Sequence, residues 1–88
     1  NMPEKQLREN LEKLRAEVDQ VADSDTQTRA RLNTLINEIE ACIDPEQETE
    51  DQNIADNIKE AVTQFETEHP RATAILNDIM VTLSNMGI

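Results

Sequence analysis

The sequence predicts an all-α protein, an antiparallel helical hairpin or bundle of three to four helices with coiled-coil-like packing. Apolar side chains recur at steps of three and four residues in four separate segments, as they do on one face of an amphipathic helix. Residue types that begin or end helices separate these segments. Large apolar residues make up about a quarter of the 88 residues, enough for one small core. We therefore treat residues 1–88 as a single helical domain, in which Asn1, before Met2, is read as a remnant of an expression tag.

The first helix is predicted over residues 4–22. Pro3 suits the first turn of a helix, and the carboxylate of Glu4 suits its positive end. The apolar residues step by 4, 3, 4 and 3, the a/d spacing of a heptad repeat, at Leu7, Leu11, Leu14, Val18 and Val21. This helix is therefore expected to bury one narrow stripe and to expose its charged side chains.

The second helix is predicted over residues 26–43, after a break at 22–25 that is rich in N-cap residue types. Its apolar stripe is wider than the first, which indicates a helix that packs against more than one partner. The stripe consists of Leu32, Leu35, Ile36, Ile39, Cys42 and Ile43. The short connection makes the first two helices antiparallel neighbours, and Pro45 ends the second.

A solvated acidic linker is predicted over residues 44–53. This segment has no aliphatic or aromatic side chain, so it cannot contribute to a core. Its acidic residues are Asp44, Glu46, Glu48, Glu50 and Asp51. The segment from residue 70 onward is almost uncharged by comparison.

The rest of the chain allows two architectures, which differ at Pro70. Apolar residues at helical spacing predict a third segment over about 51–69 and a fourth over 70–86. The steps of 4 and 3 continue from Phe65 across the proline, which favours one long helix kinked at Pro70. A proline also disfavours the helical conformation of the residue before it, here His69, which favours two separate helices. Both architectures stay open, with a preference for the kinked helix.

The net charge disfavours several classes of partner. Lys and Arg number 8 and Asp and Glu number 19, so the formal charge is −11. Such a chain repels the phosphates of nucleic acids and the anionic headgroups of lipids. No apolar run approaches the roughly 20 residues of a membrane span. We expect no nucleic-acid or membrane partner, and a basic protein is the kind of partner that the acidic surface would attract.

The single cysteine, Cys42, excludes an internal disulfide, and no segment resembles a signal peptide. Both observations predict a cytoplasmic protein. The neighbours Glu38, Glu40 and Asp44 are acidic and would raise the pKa of the thiol, so Cys42 is expected to be a small buried residue.

Two stretches resemble a family of small bacterial helical proteins of unknown function. They are residues 2–18, MPEKQLRENLEKLRAEV, and residues 65–88, FETEHPRATAILNDIMVTLSNMGI. The most specific parts are Phe65-Glu66 followed by His69-Pro70, and the terminal Asn-Met-Gly-Ile. The resemblance spans Met2 to Ile88 and implies a bacterial, cytosolic, stand-alone helical protein. It transfers no activity, cofactor or catalytic residue.

Residues typical of catalysis are few, and the chain is expected to be neither an enzyme nor a cofactor protein. The one glycine, Gly87, is a helix stop and cannot form a glycine-rich phosphate loop. His69 is a base for Ser24 or Ser84 in principle, but neither serine stands where nucleophiles are activated. Glu66 and His69 form Glu-x-x-His, the spacing that places a carboxylate and an imidazole on one helix face in di-iron bundles. With one histidine per chain, a metal site of this kind needs a dimer.

The predicted function is that of a non-catalytic interaction or scaffold module that self-associates, first of all as a homodimer. The alternative is a metal-binding bundle with Glu66 and His69 shared across a dimer. A small core without a disulfide often needs oligomerisation to become stable. One helix over 51–86 would span about 54 Å, and a second copy would cover the part that outruns the first helix. The predicted interface consists of Ile75, Leu76, Ile79, Met80, Leu83 and Met86.

Overall fold

Four α-helices make up the described fold. The computed structural model describes residues 2–46 and 53–88, and these ranges contain four helices and no strand, which confirms the all-α prediction. Residues 47–52, the centre of the predicted acidic linker, lie outside the described residues. The helices are α1, Met2–Gln20, α2, Thr26–Ile43, α3, Ile54–Phe65, and α4, Pro70–Asn85.

The described helices form a closed ring in which each one packs against two neighbours. α1 contacts α2 and α4, and α3 contacts the same two helices from the opposite side. Arg71 at the start of α4 lies 3.5 Å from Glu17 near the end of α1, so these helices run in opposite directions. His69, just before α4, lies 3.4 Å from Asp25, just before α2, so these helices begin at the same end. The result is an up-down-up-down bundle of 35 × 24 × 20 Å.

The preference for one long helix kinked at Pro70 is wrong. α3 ends at Phe65 and α4 begins at Pro70, and the two helices pack against each other, which requires a sharp turn between them. Pro70 has no N–H to continue a helix, and His69 adopts φ −133° and ψ 61°, outside the helical region. The predicted third helix, which ran to residue 69, is therefore four residues too long at this end.

The periodicity crosses the turn because the turn begins with helical geometry. Glu66 has φ −61° and ψ −29°, and the N–H of His69 donates to the carbonyl of Phe65 at 2.8 Å. The backbone of His69 lies outside the helical region. A step of four from Phe65 to His69 is thus a true helical step, although the helix does not continue.

The core takes one apolar stripe from each helix, close to the stripes that the sequence predicts. Cys42, Ile43 and Val62 are half-buried and pack against it. The buried members are Leu7, Leu11, Leu14 and Val18 in α1, Val21 just after it, Leu32, Leu35, Ile36 and Ile39 in α2, Ile54, Ile58, Ala61 and Phe65 in α3, and Ala72, Leu76, Ile79 and Leu83 in α4. Within the described residues no helix combines the length and apolar content of a membrane span.

A side chain of α2 closes the end of α1. The guanidinium of Arg29 donates from Nη1 to the carbonyl of Val18 at 3.1 Å and to that of Val21 at 3.0 Å. These carbonyls lie in and just after the last turn of α1, where the regular helical hydrogen bonds end, and that of Val18 also accepts the N–H of Val21 at 3.1 Å. Arg29 therefore stabilises the end of α1 and ties it to α2.

The end of α4 is closed by its own backbone. Gly87 has φ +82°, and its N–H donates to the carbonyl of Ser84 at 3.0 Å. The N–H of Ile88 donates to the carbonyl of Leu83 at 2.9 Å, which completes a Schellman motif. This arrangement confirms Gly87 as the helix stop.

Candidate functional site

The loop end of the bundle, formed by residues 21–25 and 66–69, brings His69 against α2. Its Nε2 lies 3.4 Å from Oδ2 of Asp25, and the ring of Phe65 meets the imidazole edge-on at 6.2 Å between centroids. Asp25 is the N-cap residue of α2, and its Oδ1 accepts the N–H of Thr28 at 3.3 Å. One carboxylate thus caps a helix with one oxygen and faces the imidazole with the other.

Hydrogen bonding at this cap changes the acidity of Asp25. The interaction with Thr28 lowers the pKa of the Asp25 carboxyl below its ordinary value of 3.8, and His69 lowers it further, while partial burial acts in the opposite direction. The charged form is therefore favoured at neutral pH. It is also the form that can accept from both neighbours.

The predicted Glu-x-x-His pattern does not lie on a helix face. α3 ends at Phe65, Glu66 is exposed in the turn that follows, and His69 faces Asp25. In residues 2–46 and 53–88 no three His, Cys, Asp or Glu side chains come close enough together to hold a metal ion. A site shared between two chains stays a prediction, and within one chain the carboxylate that faces His69 is that of Asp25 and not that of Glu66.

The serines considered as partners of His69 are placed differently. Ser84 lies near the opposite end of α4, about 21 Å along the helix from Pro70 at about 1.5 Å per residue, so Ser84 and His69 cannot form a catalytic pair. Ser24 lies at the loop end and is exposed, next to Asp25. The group that faces Nε2 of His69 is the Asp25 carboxylate.

Two open cavities contain arginines that carboxylates already engage. A cavity of about 180 Å³ at the loop end is lined by His69 and Arg71 among others, and Arg71 reaches Glu17 at 3.5 Å. A groove of about 470 Å³ between α1 and the end of α2 contains Arg8 and Arg15. Their ion-pair partners are Glu4, at 3.0 Å from Arg8, and Glu40, which pairs with Arg15.

Cys42 is half-buried near the end of α2. Its burial raises the pKa of the thiol, and the carboxylate of Glu38 raises it further. A raised pKa disfavours the thiolate that nucleophilic chemistry needs. The environment is therefore that of a packing residue.

The predicted dimer-interface residues lie on the inner side of α4. Leu76, Ile79 and Leu83 are buried in the core of the single chain, and the other three are half-buried against the same core. Those three are Ile75, Met80 and Met86. α1 and α3 cover this side of α4, so the chain itself provides the cover that the sequence argument assigned to a second copy.

The exposed faces of the helices differ in charge, and the difference alternates around the ring. The exposed residues of α1 include Lys5, Arg8, Glu9, Glu12, Lys13, Arg15 and Asp19, and those of α3 include Asp56, Lys59 and Glu60. The exposed residues of α2 are uncharged: Thr26, Gln27, Ala30, Asn33, Thr34 and Asn37. The exposed residues of α4 are Pro70, Arg71, Ala74, Asn77, Asp78, Val81, Ser84 and Asn85. We call the exposed residues of α2 and α4 the two neutral faces.

Two of the three large hydrophobic residues that are exposed in the described chain belong to the α4 region. Val81 is 58% exposed on the α4 neutral face, and Ile88 is 48% exposed just beyond the helix end. The third is Met2. Ala74 and Val81 are both exposed and are spaced by seven residues, a periodicity that was visible in the sequence, whereas Ile88 lies beyond the helix stop at Gly87. Sequence reasoning missed this outward row because it considered only the wide apolar stripe on the other side of the segment.

The fold and surface define a class: a small up-and-down four-helix bundle that presents two neutral faces on a strongly acidic chain. The chain belongs to the family described as "Domain of unknown function (DUF4404)", which matches residues 7–88. This agrees with the predicted membership of a family of unknown function, and the match begins at Leu7 where the resemblance began at Met2. No curated protein and no solved structure matches the chain.

Proposed function

We propose that this chain is a non-catalytic interaction module that self-associates through a neutral face. The observation that carries the proposal is the uneven distribution of charge on the exposed helix surfaces. A net charge of −11 opposes the approach of a second copy over most of the surface. The neutral faces carry the fewest exposed charges, so a contact there removes the fewest charged groups from water.

Screening by salt limits the distance over which charges on the two copies repel each other. At about 0.15 M salt the Debye length is about 8 Å, which is shorter than the 20 Å width of the bundle. Charges on the far side of each copy are therefore weakly felt at a contact. The local charge of the contacting face decides whether two copies can pack, and on α2 and α4 that charge is small.

A basic protein partner would bind elsewhere, and we propose the α3 side for it. Asp56 and Glu60 are exposed on α3, and Glu66 and Glu68 are exposed in the turn that follows, beside a single exposed lysine of α3, Lys59. Steering by such a surface accelerates association with a basic protein at low salt. The two kinds of contact therefore use different sides of the bundle.

The test is the absolute mass in solution across a series of protein and salt concentrations. We expect the mass to rise from that of the 10.0 kDa chain toward twice that value as the protein concentration increases. Added salt should strengthen this association, because it screens the repulsion between copies. Light scattering should be paired with refractive-index detection, because the chain contains no Trp or Tyr.

Salt also separates the two proposed contacts, since a complex with a basic protein should weaken as salt increases. A mass that stays at 10.0 kDa at every protein and salt concentration would contradict self-association.

A further inference from the structure

We propose that two copies pack through the neutral face of α4, antiparallel, with a two-fold axis passing beside Val81. This inference rests on the proposed self-association and specifies its surface and register. Of the two neutral faces, only that of α4 carries a large exposed hydrophobic residue, Val81, with Ile88 exposed just beyond the helix. Burial of such side chains is the favourable term that a polar α2 face lacks.

The charge pattern of this face selects the antiparallel arrangement. In a parallel pair, Asp78 would lie opposite Asp78 of the partner subunit and Arg71 opposite Arg71 of the partner subunit, which places like charges together. An antiparallel pair avoids both contacts. It also sets the two helix dipoles in opposite directions.

A two-fold axis at Val81 makes the face complementary to itself. In an isologous contact each residue meets its symmetry mate, so positions that are equally far from Val81 on opposite sides face each other. Asp78 then lies at the level of Ser84 of the partner subunit, which can donate its hydroxyl to the carboxylate. Asn77 lies at the level of Asn85 of the partner subunit, where the two amides supply both donors and acceptors.

The size of this contact predicts a weak dimer. α4 has 16 residues and is about 24 Å long at about 1.5 Å per residue. A strip of this length and one helix width is well below the roughly 800 Å² per partner of a standard stable interface. We therefore expect a dimer that dissociates on dilution. A suitable test captures this dimer with a covalent crosslink.

Val81→Cys in a Cys42→Ala background tests the axis. Helix axes about 8–10 Å apart bring facing Cα atoms to about 3.4–5.4 Å, which overlaps the range that a disulfide spans. We expect oxidation of this variant to convert most of the protein to a covalent dimer at concentrations where the mass shows association. Ala30→Cys in the same background is the matched control, because Ala30 is exposed on the other neutral face.

Asn77→Cys and Asn85→Cys test the register. With the axis at Val81, each of these variants alone should form little covalent dimer, whereas an equimolar mixture should form the mixed dimer. Thermal unfolding of each variant, followed by circular dichroism, verifies that it is folded.

The outcomes separate this inference from the proposed function. If the protein associates by mass but Ala30→Cys crosslinks and Val81→Cys does not, the surface is wrong and self-association stands. If Val81→Cys crosslinks but the mixture of Asn77→Cys and Asn85→Cys does not, the antiparallel register is wrong. If the mass stays at that of one chain and no variant crosslinks above the level of random collision, both proposals fail.

Discussion

α1 and α4 are packed neighbours whose buried faces are alike and whose exposed faces differ. Both bury an apolar stripe in the shared core, with Leu14 and Leu76 fully buried. The exposed face of α1 is crowded with charges of both signs, whereas that of α4 is almost neutral and carries Val81. The buried face of a helix therefore determines its position in the bundle. The exposed face is not constrained by the core and determines the contacts that the helix can make with other molecules.

The largest expected effects on the shared core come from truncating one buried side chain in α1 and one in α4. Leu14→Ala and Leu76→Ala should each lower the free energy of unfolding by about 2–5 kcal/mol, because each removes buried methyl groups and leaves a cavity. Urea unfolding followed by circular dichroism measures the loss. Should either variant not fold, Ile79→Val offers a smaller cut of about 0.5–1.5 kcal/mol. A cost near zero for both leucines would refute the packing of the core.

The C-termini of the two helices are also closed in different ways, so a substitution at each end tests a different stabilising contact. Arg29→Met should cost about 1–3 kcal/mol, because it leaves the carbonyls of Val18 and Val21 without their charged donor. Gly87→Ala should cost about 1–2 kcal/mol, because an L side chain is strained at φ +82°. The free energy of unfolding, measured for both variants beside the exposed control Asn33→Ala, shows whether these ends matter more than an ordinary surface position.

Charge added to the two exposed faces should act differently on association. Val81→Glu places two carboxylates at the proposed axis and should weaken self-association about tenfold or more. Ala16→Glu adds the same charge to the exposed face of α1 and should change the association far less. Sedimentation equilibrium gives the self-association constants of the two variants, and circular dichroism verifies that both variants are folded. Equal weakening would show that net charge, and not the α4 face, controls the contact.

The smallest expected effect is the acid sensitivity of the loop end. The pKa of Asp25 is lower in the folded chain than its ordinary value of 3.8, so its charged form contributes stability above pH 3.8 and that contribution is lost as the pH falls through the folded-state pKa. Asp25→Asn should therefore lower the urea midpoint at pH 7, and its difference from the unmodified protein should shrink as the pH falls below 3.8. Asp23→Asn is the control in the same connection. A difference between Asp25→Asn and the unmodified protein that stays constant as the pH falls would argue against this role of the carboxylate.

Periodicity was a reliable guide wherever burial alone decided the outcome. The apolar steps in the α1 segment identified five buried residues, and Gly87 identified the end of α4, because both signals are local. The same steps were misleading at Pro70, where the chain completes one more helical turn before it reverses. The spacing of apolar residues reflects the helical geometry at the start of the turn. It does not indicate the direction in which the chain continues after the turn.

The candidate site was less accessible to sequence reasoning than the fold. Asp25 and His69 are 44 positions apart and meet because α2 and α4 begin at the same end of the bundle. The outward row of Ala74 and Val81 was visible as a spacing of seven. Its orientation depended on which side of α4 the other helices cover.

By itself the sequence determined the all-α class, the four apolar stripes, the acidity of the chain and the stop at Gly87, since each follows from residue type and spacing along one segment. Tertiary structure alone decided the reversal at His69 and Pro70, the ring order of the helices and the cover of the apolar stripe of α4, which α1 and α3 provide. These features depend on which distant segments share a surface. An apolar stripe can be covered by the same chain or by a second copy, and only the packing of the helices selects between them.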